Sequence, residues 1–457
     1  MKKIYIIGGA LACMFTACKP SVTVSTKLTT GNADFSNYLA IGNSLTSGYA
    51  DGSLTVTGQL NSYPERLFEQ FQLVTNVKGT FVQPLLPGNS GWPSPKMVLA
   101  LTYSACIPAD SGLGPVMYSG PIDSAGSYRY TSTVNNGQIN NIGVPGIRAV
   151  DYLVPNYAFG NPYAARFYNN LNGTPLDELA FRVHNMHPTF FTMWLGANDV
   201  LGYATAGGKG DGSGNAQPSV PGTYVFNTYD ITAYNQFDTA YDKAVSMAIS
   251  TGATGALINI PDISSLPYFN IIPINGLVLT RQGQADTLQR LWGSVFKTVF
   301  QVGANNFIVQ QHDGQTRQSV PGELLLSTIP MDSIRCAGWG STKPIPKDYV
   351  ITTEELQDIR NAITAFNNFI QFEATRHKLA YVDMNGFLAQ IAGGYTYNGI
   401  TYTTQYITGG AFSLDGIHPT PRGYALIANQ ILTTINGYYK SNLPMLDVNK
   451  YHGIDFP

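Results

Sequence analysis

The sequence predicts an α/β fold with a parallel sheet covered by helices on both faces. Two features carry that expectation. Short apolar runs recur along the chain, separated by segments with helical spacing, and this alternation builds parallel sheets. Two of those runs end directly at a glycine, Gly42 and Gly196. In such sheets sites form outside the carboxyl ends of the strands, so both glycine turns are expected at that edge. The Gly146 turn is a third candidate there, with a less obvious strand before it.

The elements follow in order. Tyr38 to Ile41 is an apolar run ending at Gly42 and reads as a buried strand. Tyr63 to Gln72 reads as a helix entered through Pro64. Residues 82–138 are rich in Gly, Ser, Pro and Tyr without helical periodicity, and read as an insertion of turns and short strands. Regular structure resumes near Asn141. Leu176 to Asn185 has helical spacing, and Thr189 to Leu195 is a β-type run. Residues 207–222 read as a loop. Ile231 to Ser250 is a helix candidate, Gly255 to Ile260 a strand closed by Pro261, and Gln284 to Val302 a further helix. Thr352 to His377 is a long helix, with Thr352 and Glu355 spaced as a capping box. Leu379 to Val382 is a strand ending at Asp383, and Thr420 to Tyr438 a terminal helix. There is no tandem repeat.

The N-terminus reads as a secretory signal. Lys2 and Lys3 precede the apolar run Ile4 to Phe15, which is too short for a permanent span. Phe15-Thr16-Ala17-Cys18 then resembles a bacterial lipobox, which implies cleavage before Cys18 and a lipid on its thiol. The expected organisation is a signal peptide over 1–17, a lipidated tether over 18–35 and a single globular domain over 36–457. The expected location is the bacterial cell envelope, with the protein held to a membrane through Cys18 and facing the periplasm or the cell surface. The other reading is an ordinary signal peptide with an incidental Cys. Of the remaining cysteines, Cys106 and Cys336 are either a disulfide or two separate thiols. A net charge of −2 without a basic block excludes the electrostatic footprint of a nucleic-acid binder. Cys and His show no metal-type spacing.

Four short motifs carry the chemistry. Gly42-Asn43-Ser44-Leu45-Thr46 follows the first strand and puts Ser44 on a tight turn, where it either meets a ligand or caps a helix. In Gly143-Val144-Pro145-Gly146, Gly146 permits close approach of its backbone N–H to an oxyanion, or forms a plain Pro-Gly turn. In Gly196-Ala197-Asn198-Asp199, the Asn198 side chain is a second such donor or a cap. Asp415-Gly416-Ile417-His418-Pro419 places a carboxylate three residues before an imidazole. A turn through Gly416 brings them together, so that the Asp orients the ring and the His moves a proton.

Taken together, order and spacing make the chain resemble the SGNH (GDSL-like) hydrolase family from about Tyr38 to Tyr438. Ser44 matches the nucleophile of the first block, Gly146 the glycine of the second and Asn198 the asparagine of the third. Asp415 and His418 match the Asp-x-x-His of the last. The resemblance implies a flavodoxin-like three-layer α/β/α sandwich with strand order 2-1-3-4-5. It also implies an oxyanion hole of Ser44, Gly146 and Asn198, and no metal or organic cofactor. The expected function is a serine ester hydrolase acting on an acylated carbohydrate or lipid. The alternative is a non-catalytic glycan- or lipid-binding lipoprotein on a degenerate fold. Asn43, where the motif has Asp, and the long interval between Ser44 and Gly146 motivate it. There is no Gly-x-Ser-x-Gly elbow. His184, His187, His312, His377 and His452 lack a motif and read as surface or core. Asp211 to Asn215 faintly resembles a calcium loop but reads as a flexible one. Tyr395, Tyr397, Tyr402 and Tyr406 alternate with small residues and read as a hairpin, structural or lining the site.

Overall fold

The computed structural model describes residues 27–74, 79–106, 111–122, 138–210 and 229–456 of the chain. The signal and lipobox reading, Asp211 to Asn215 and most of the 207–222 loop lie outside those residues.

Five parallel strands form the central sheet: β1 (Tyr38–Gly42), β2 (Asn141–Gly143), β3 (Phe190–Trp194), β4 (Thr254–Ile258) and β5 (Ala380–Val382). Their spatial order is β2-β1-β3-β4-β5, the expected 2-1-3-4-5 arrangement. Every residue of β1, β2 and β3 is buried. Burial on both faces explains why β1 and β3 read as continuous apolar runs rather than alternating ones, while β2, only three residues long, left no such run.

Seven helices cover the sheet or its carboxyl edge: α1 (Tyr63–Gln72), α2 (Pro175–Met186), α3 (Asn198–Thr205), α4 (Tyr234–Ala248), α5 (Thr353–Arg376), α6 (Met384–Gly393) and α7 (Pro421–Tyr439). α1 packs on α7 over one face, while α2, α4 and α5 pack in sequence over the other. Local chemistry fixes their starts. Thr174 and Asp177 cap α2 reciprocally, with Pro175 at its first position. Thr352 and Glu355 form the expected capping box on α5.

Three features depart from the sequence reading. The helix expected over 284–302 is shorter: it runs from Gln282 through a π-turn to Phe296 and stops at Lys297, which is left-handed. Helix α6 has no counterpart among the expected elements. Residues 271–350 also form a second insertion with its own small core, including Phe307, Val309, Leu325, Ile345 and Val350. Within the first insertion, Met97–Tyr103 and Ser111–Met117 pair as an antiparallel hairpin. Cys106 and Cys336 form a disulfide, with Cα atoms 5.7 Å apart, and it ties the two insertions together. At the start of the described chain, Asn32 donates to the Tyr439 carbonyl at the end of α7, and Phe35 is fully buried. This part of the segment read as tether therefore packs on the domain.

Candidate functional site

All four motifs reach the carboxyl edge of the sheet. β1 runs directly into a one-turn helix, Ser44–Ser47, capped by Asn43, whose side-chain oxygen accepts from the Leu45 N–H at 3.0 Å. Asn43 is thus as able as a carboxylate to hold this turn, because capping needs only an acceptor oxygen. The turn is tight enough to exclude other residues from its base. A Cβ on Gly42 would lie 2.1 Å from Thr46 Oγ1 and 2.7 Å from the Trp194 carbonyl oxygen.

The segment after α6 brings up the remaining pair. Ser44 Oγ lies 2.8 Å from His418 Nε2, and His418 Nδ1 lies 2.9 Å from Asp415 Oδ2. Gly416, at φ +71°, makes the turn that folds carboxylate and ring together. Asp415 is surrounded by donors. Its Oδ1 accepts from the N–H groups of Ile417 and His418 at 2.9 and 2.8 Å, and its Oδ2 accepts from the Gly52 N–H at 2.9 Å. Burial works to raise its pKa, but the His418 charge and these hydrogen bonds outweigh it and hold the carboxyl at about 2. The carboxylate is therefore ionised wherever the protein is folded at ordinary pH. The Tyr49 ring packs 4.7 Å from the imidazole and helps fix its plane.

Gly146 and Asn198 close the site from the other side. Gly146 sits at φ +82°, a left-handed position that favours glycine. Among the described residues, no backbone carbonyl accepts from the Ser44 or Gly146 N–H. The Asn198 side-chain amide donates to the Ile147 carbonyl at 2.9 Å, which fixes its orientation and leaves one N–H to spare.

Sequence reasoning gave no role to Asp199, Asp51 or α6. Asp199 is fully buried and its carboxylate accepts from the Ala149 N–H at 2.7 Å, so it binds the Gly146 loop to the start of α3. Burial pushes its carboxyl up to about 6, against the Ala149 hydrogen bond and the Arg148 charge. Asp51 accepts from the Leu414 N–H at 3.0 Å, and its own N–H donates to Ser413 Oγ at 2.9 Å. Burial pushes it up to about 6 as well, opposed by the Leu414 bond and helped by the nearby Asp415 charge. Asp199 stood in the third motif, but only its burial beside a second loop reveals its part.

An apolar pocket opens beside Ser44, His418 and Asn198 and runs under α6. On the far side of Asn198 a groove of mixed polarity carries Gly146, Val154, Tyr157, Asn161 and the Arg148–Asp151 ion pair. A larger cavity near Asp51, Lys96 and His452 contains neither Ser44 nor His418. The hairpin Tyr395–Tyr397 with Ile400–Tyr402 forms as expected, with Tyr395 packed on Phe387, but does not line the apolar pocket. None of the other five histidines lies in it either. Among the described residues, Asp242, Glu373 and His377 are the one group of ligand atoms close enough to share a metal. Arg376 already pairs with Asp242 and Glu373 there, and the group sits at the C-terminal end of α5, at the opposite edge of the sheet.

The fold and site define a doubly wound α/β protein with a serine, an imidazole and a carboxylate in one hydrogen-bonded chain at the carboxyl edge. Residues 38–431 match the sequence model of the GDSL-like lipase/acylhydrolase family, and the chain belongs to that family. It is accordingly a hydrolase of the acyl-ester class. No curated protein matches it. Among solved structures it is similar to a Bacteroides fragilis protein provisionally described as an acylhydrolase, at 13% identity and a TM-score of 0.28, over 67% of this chain and 77% of that one. It is also similar to a Clostridium thermocellum family 3 carbohydrate esterase, at 11% identity and a TM-score of 0.33, over 88% and 96% of the two chains. Likenesses this low carry no argument, and the assignment rests on the sequence match.

Proposed function

We propose that the protein is an extracytoplasmic serine ester hydrolase acting on an acylated carbohydrate or lipid. The observation that carries this reading is the unbroken chain from Ser44 Oγ through His418 to Asp415 at the mouth of a pocket. Ser44 attacks the ester carbonyl while His418 Nε2 takes its proton. Asp415 holds Nδ1–H and balances the charge of the imidazolium. The Ser44 and Gly146 N–H groups and the Asn198 amide receive the oxyanion. His418 then protonates the departing alcohol, leaving an acyl group on Ser44. Water attacks it, giving its proton to His418, and the acid and free Ser44 are restored.

The test is hydrolysis of p-nitrophenyl esters by wild type and Ser44→Ala. The reading expects turnover that disappears in the variant. A folded wild type without turnover on any ester argues instead for a binding protein on this fold.

The location is part of the same proposal. A disulfide is the usual state of paired thiols in an oxidising compartment, and the Cys106–Cys336 bridge supports an envelope location. The lipid anchor at Cys18 is tested by metabolic labelling with a fatty-acid analogue. The label is expected on wild type and absent from Cys18→Ala, and label retained in the variant would dismiss that anchor.

A further inference from the structure

The two openings beside Ser44 differ in chemistry. The pocket under α6 has a cavity volume of about 70 Å³, and apart from Asn43, Ser44, Asn198 and His418 its wall is apolar. Met384, Phe387, Leu388 and Ile391 face it from α6, and Leu201 faces it from α3. The four α6 residues recur at the three- and four-residue spacing of one helix face, and all four are buried. The groove beyond Asn198 mixes Asn156, Asn161 and Thr205 with Val154, Tyr157 and Leu201. An ester straddling Ser44 must place one portion in each.

We propose that the pocket under α6 receives the acyl chain, and that the protein acts on esters of medium-length hydrocarbon acids rather than on acetyl esters. The inference rests on the reading of Ser44 as the nucleophile. In that mechanism the acyl portion stays bound through both steps, whereas the alcohol must leave and water must enter. An almost wholly apolar pocket suits the portion that stays, and a more open groove of mixed polarity suits the portion that exchanges. An acetyl group would leave most of the pocket wall unused. A hydrocarbon chain would bury it, each methylene being worth about fourfold in binding. The mixed groove then takes the alcohol portion.

The experiment is kcat/KM for p-nitrophenyl acetate, butyrate, hexanoate and octanoate, each kept monomeric. The proposal expects a rise to about a hundredfold or more between acetate and octanoate. Filling the pocket with Ile391→Trp should cut the octanoate-to-acetate ratio about tenfold or more. The ratio is taken within one preparation, so partial loss of folded protein cancels. Leu266→Trp fills it from the segment after β4 should the α6 variant not fold. Acetyl esters of lengthening alcohols should show no such rise. A flat or falling acyl series, or a rise that follows the alcohol, overturns the pocket assignment and leaves the serine mechanism standing. No turnover of any ester overturns both.

Discussion

At the scale of single residues, the site sets two carboxylates against each other. Asp415 is held at about 2, below the ordinary Asp value of 3.8. Its contribution to stability is therefore complete above pH 4 and is lost as pH falls from about 4 to about 2, roughly 2 kcal/mol in all. Asp199 is displaced the other way, to about 6. The folded state then binds its proton more tightly than the unfolded chain, so its effect is to lower stability as pH rises from about 4 to about 6. Asp199→Asn should flatten that part of a denaturant-midpoint profile between pH 4 and 7, while Asp415→Asn should flatten the part below pH 4. An unchanged profile in either variant would remove the assigned cause. In catalysis, Asp415→Asn should lower kcat by about 10³–10⁴, because the imidazole loses the partner that orients and balances it. Asn198→Ala should lower kcat by about 10²–10³ with little change in KM, since in the proposed mechanism its contact forms with the developing oxyanion. An unchanged kcat would take Asn198 out of the mechanism. The residue types were legible from the sequence, because Ser44, Gly146, Asn198, Asp415 and His418 stand in short motifs at strand ends. Asp51 stands in no motif, and Asp199, although it stands in the third, shows its part only through burial beside a segment remote in the chain.

At the scale of elements, the turn after β1 is the most constrained. Gly42→Ala would drive a Cβ into Thr46 Oγ1 and the Trp194 carbonyl, and the backbone atom cannot move aside without shifting β3. We expect a loss of about 1–3 kcal/mol in urea unfolding, the usual cost of overpacking, and full stability in that variant would contradict the close approach. Asp199→Ala leaves the Ala149 N–H without its acceptor and frees the Gly146 loop from α3. About 1–3 kcal/mol of stability should go with it. Most strands and helices were legible because their apolar spacing matched one period over a sufficient length. Helix α6 was missed although Met384, Phe387, Leu388 and Ile391 keep helical spacing, because it is only 10 residues long and follows β5 after a single residue, so it read as the end of that strand. The helix expected to reach Val302 stops early at left-handed Lys297, a break that periodicity alone does not reveal.

At the scale of the whole molecule, a five-stranded sheet presents its carboxyl edge to the site, and two insertions joined by the Cys106–Cys336 bridge lie apart from that sheet. The bridge closes a loop across much of the chain, so Cys106→Ser should lower stability by about 2–4 kcal/mol. Equal melting of variant and wild type under oxidising conditions would show that the bridge adds nothing. Sheet order was legible through family resemblance, whereas the second insertion, at 271–350, was not. Its strands are two or three residues long and leave no period to read. The central claim is that Ser44 is the nucleophile of an ester hydrolase, and the most direct measurement is mass spectrometry of the protein after treatment with an alkyl fluorophosphonate. The account predicts a single adduct on the peptide carrying Ser44, absent from Ser44→Ala and from wild type denatured beforehand. A folded wild type that takes up no reagent, or an adduct that persists in Ser44→Ala, would contradict it.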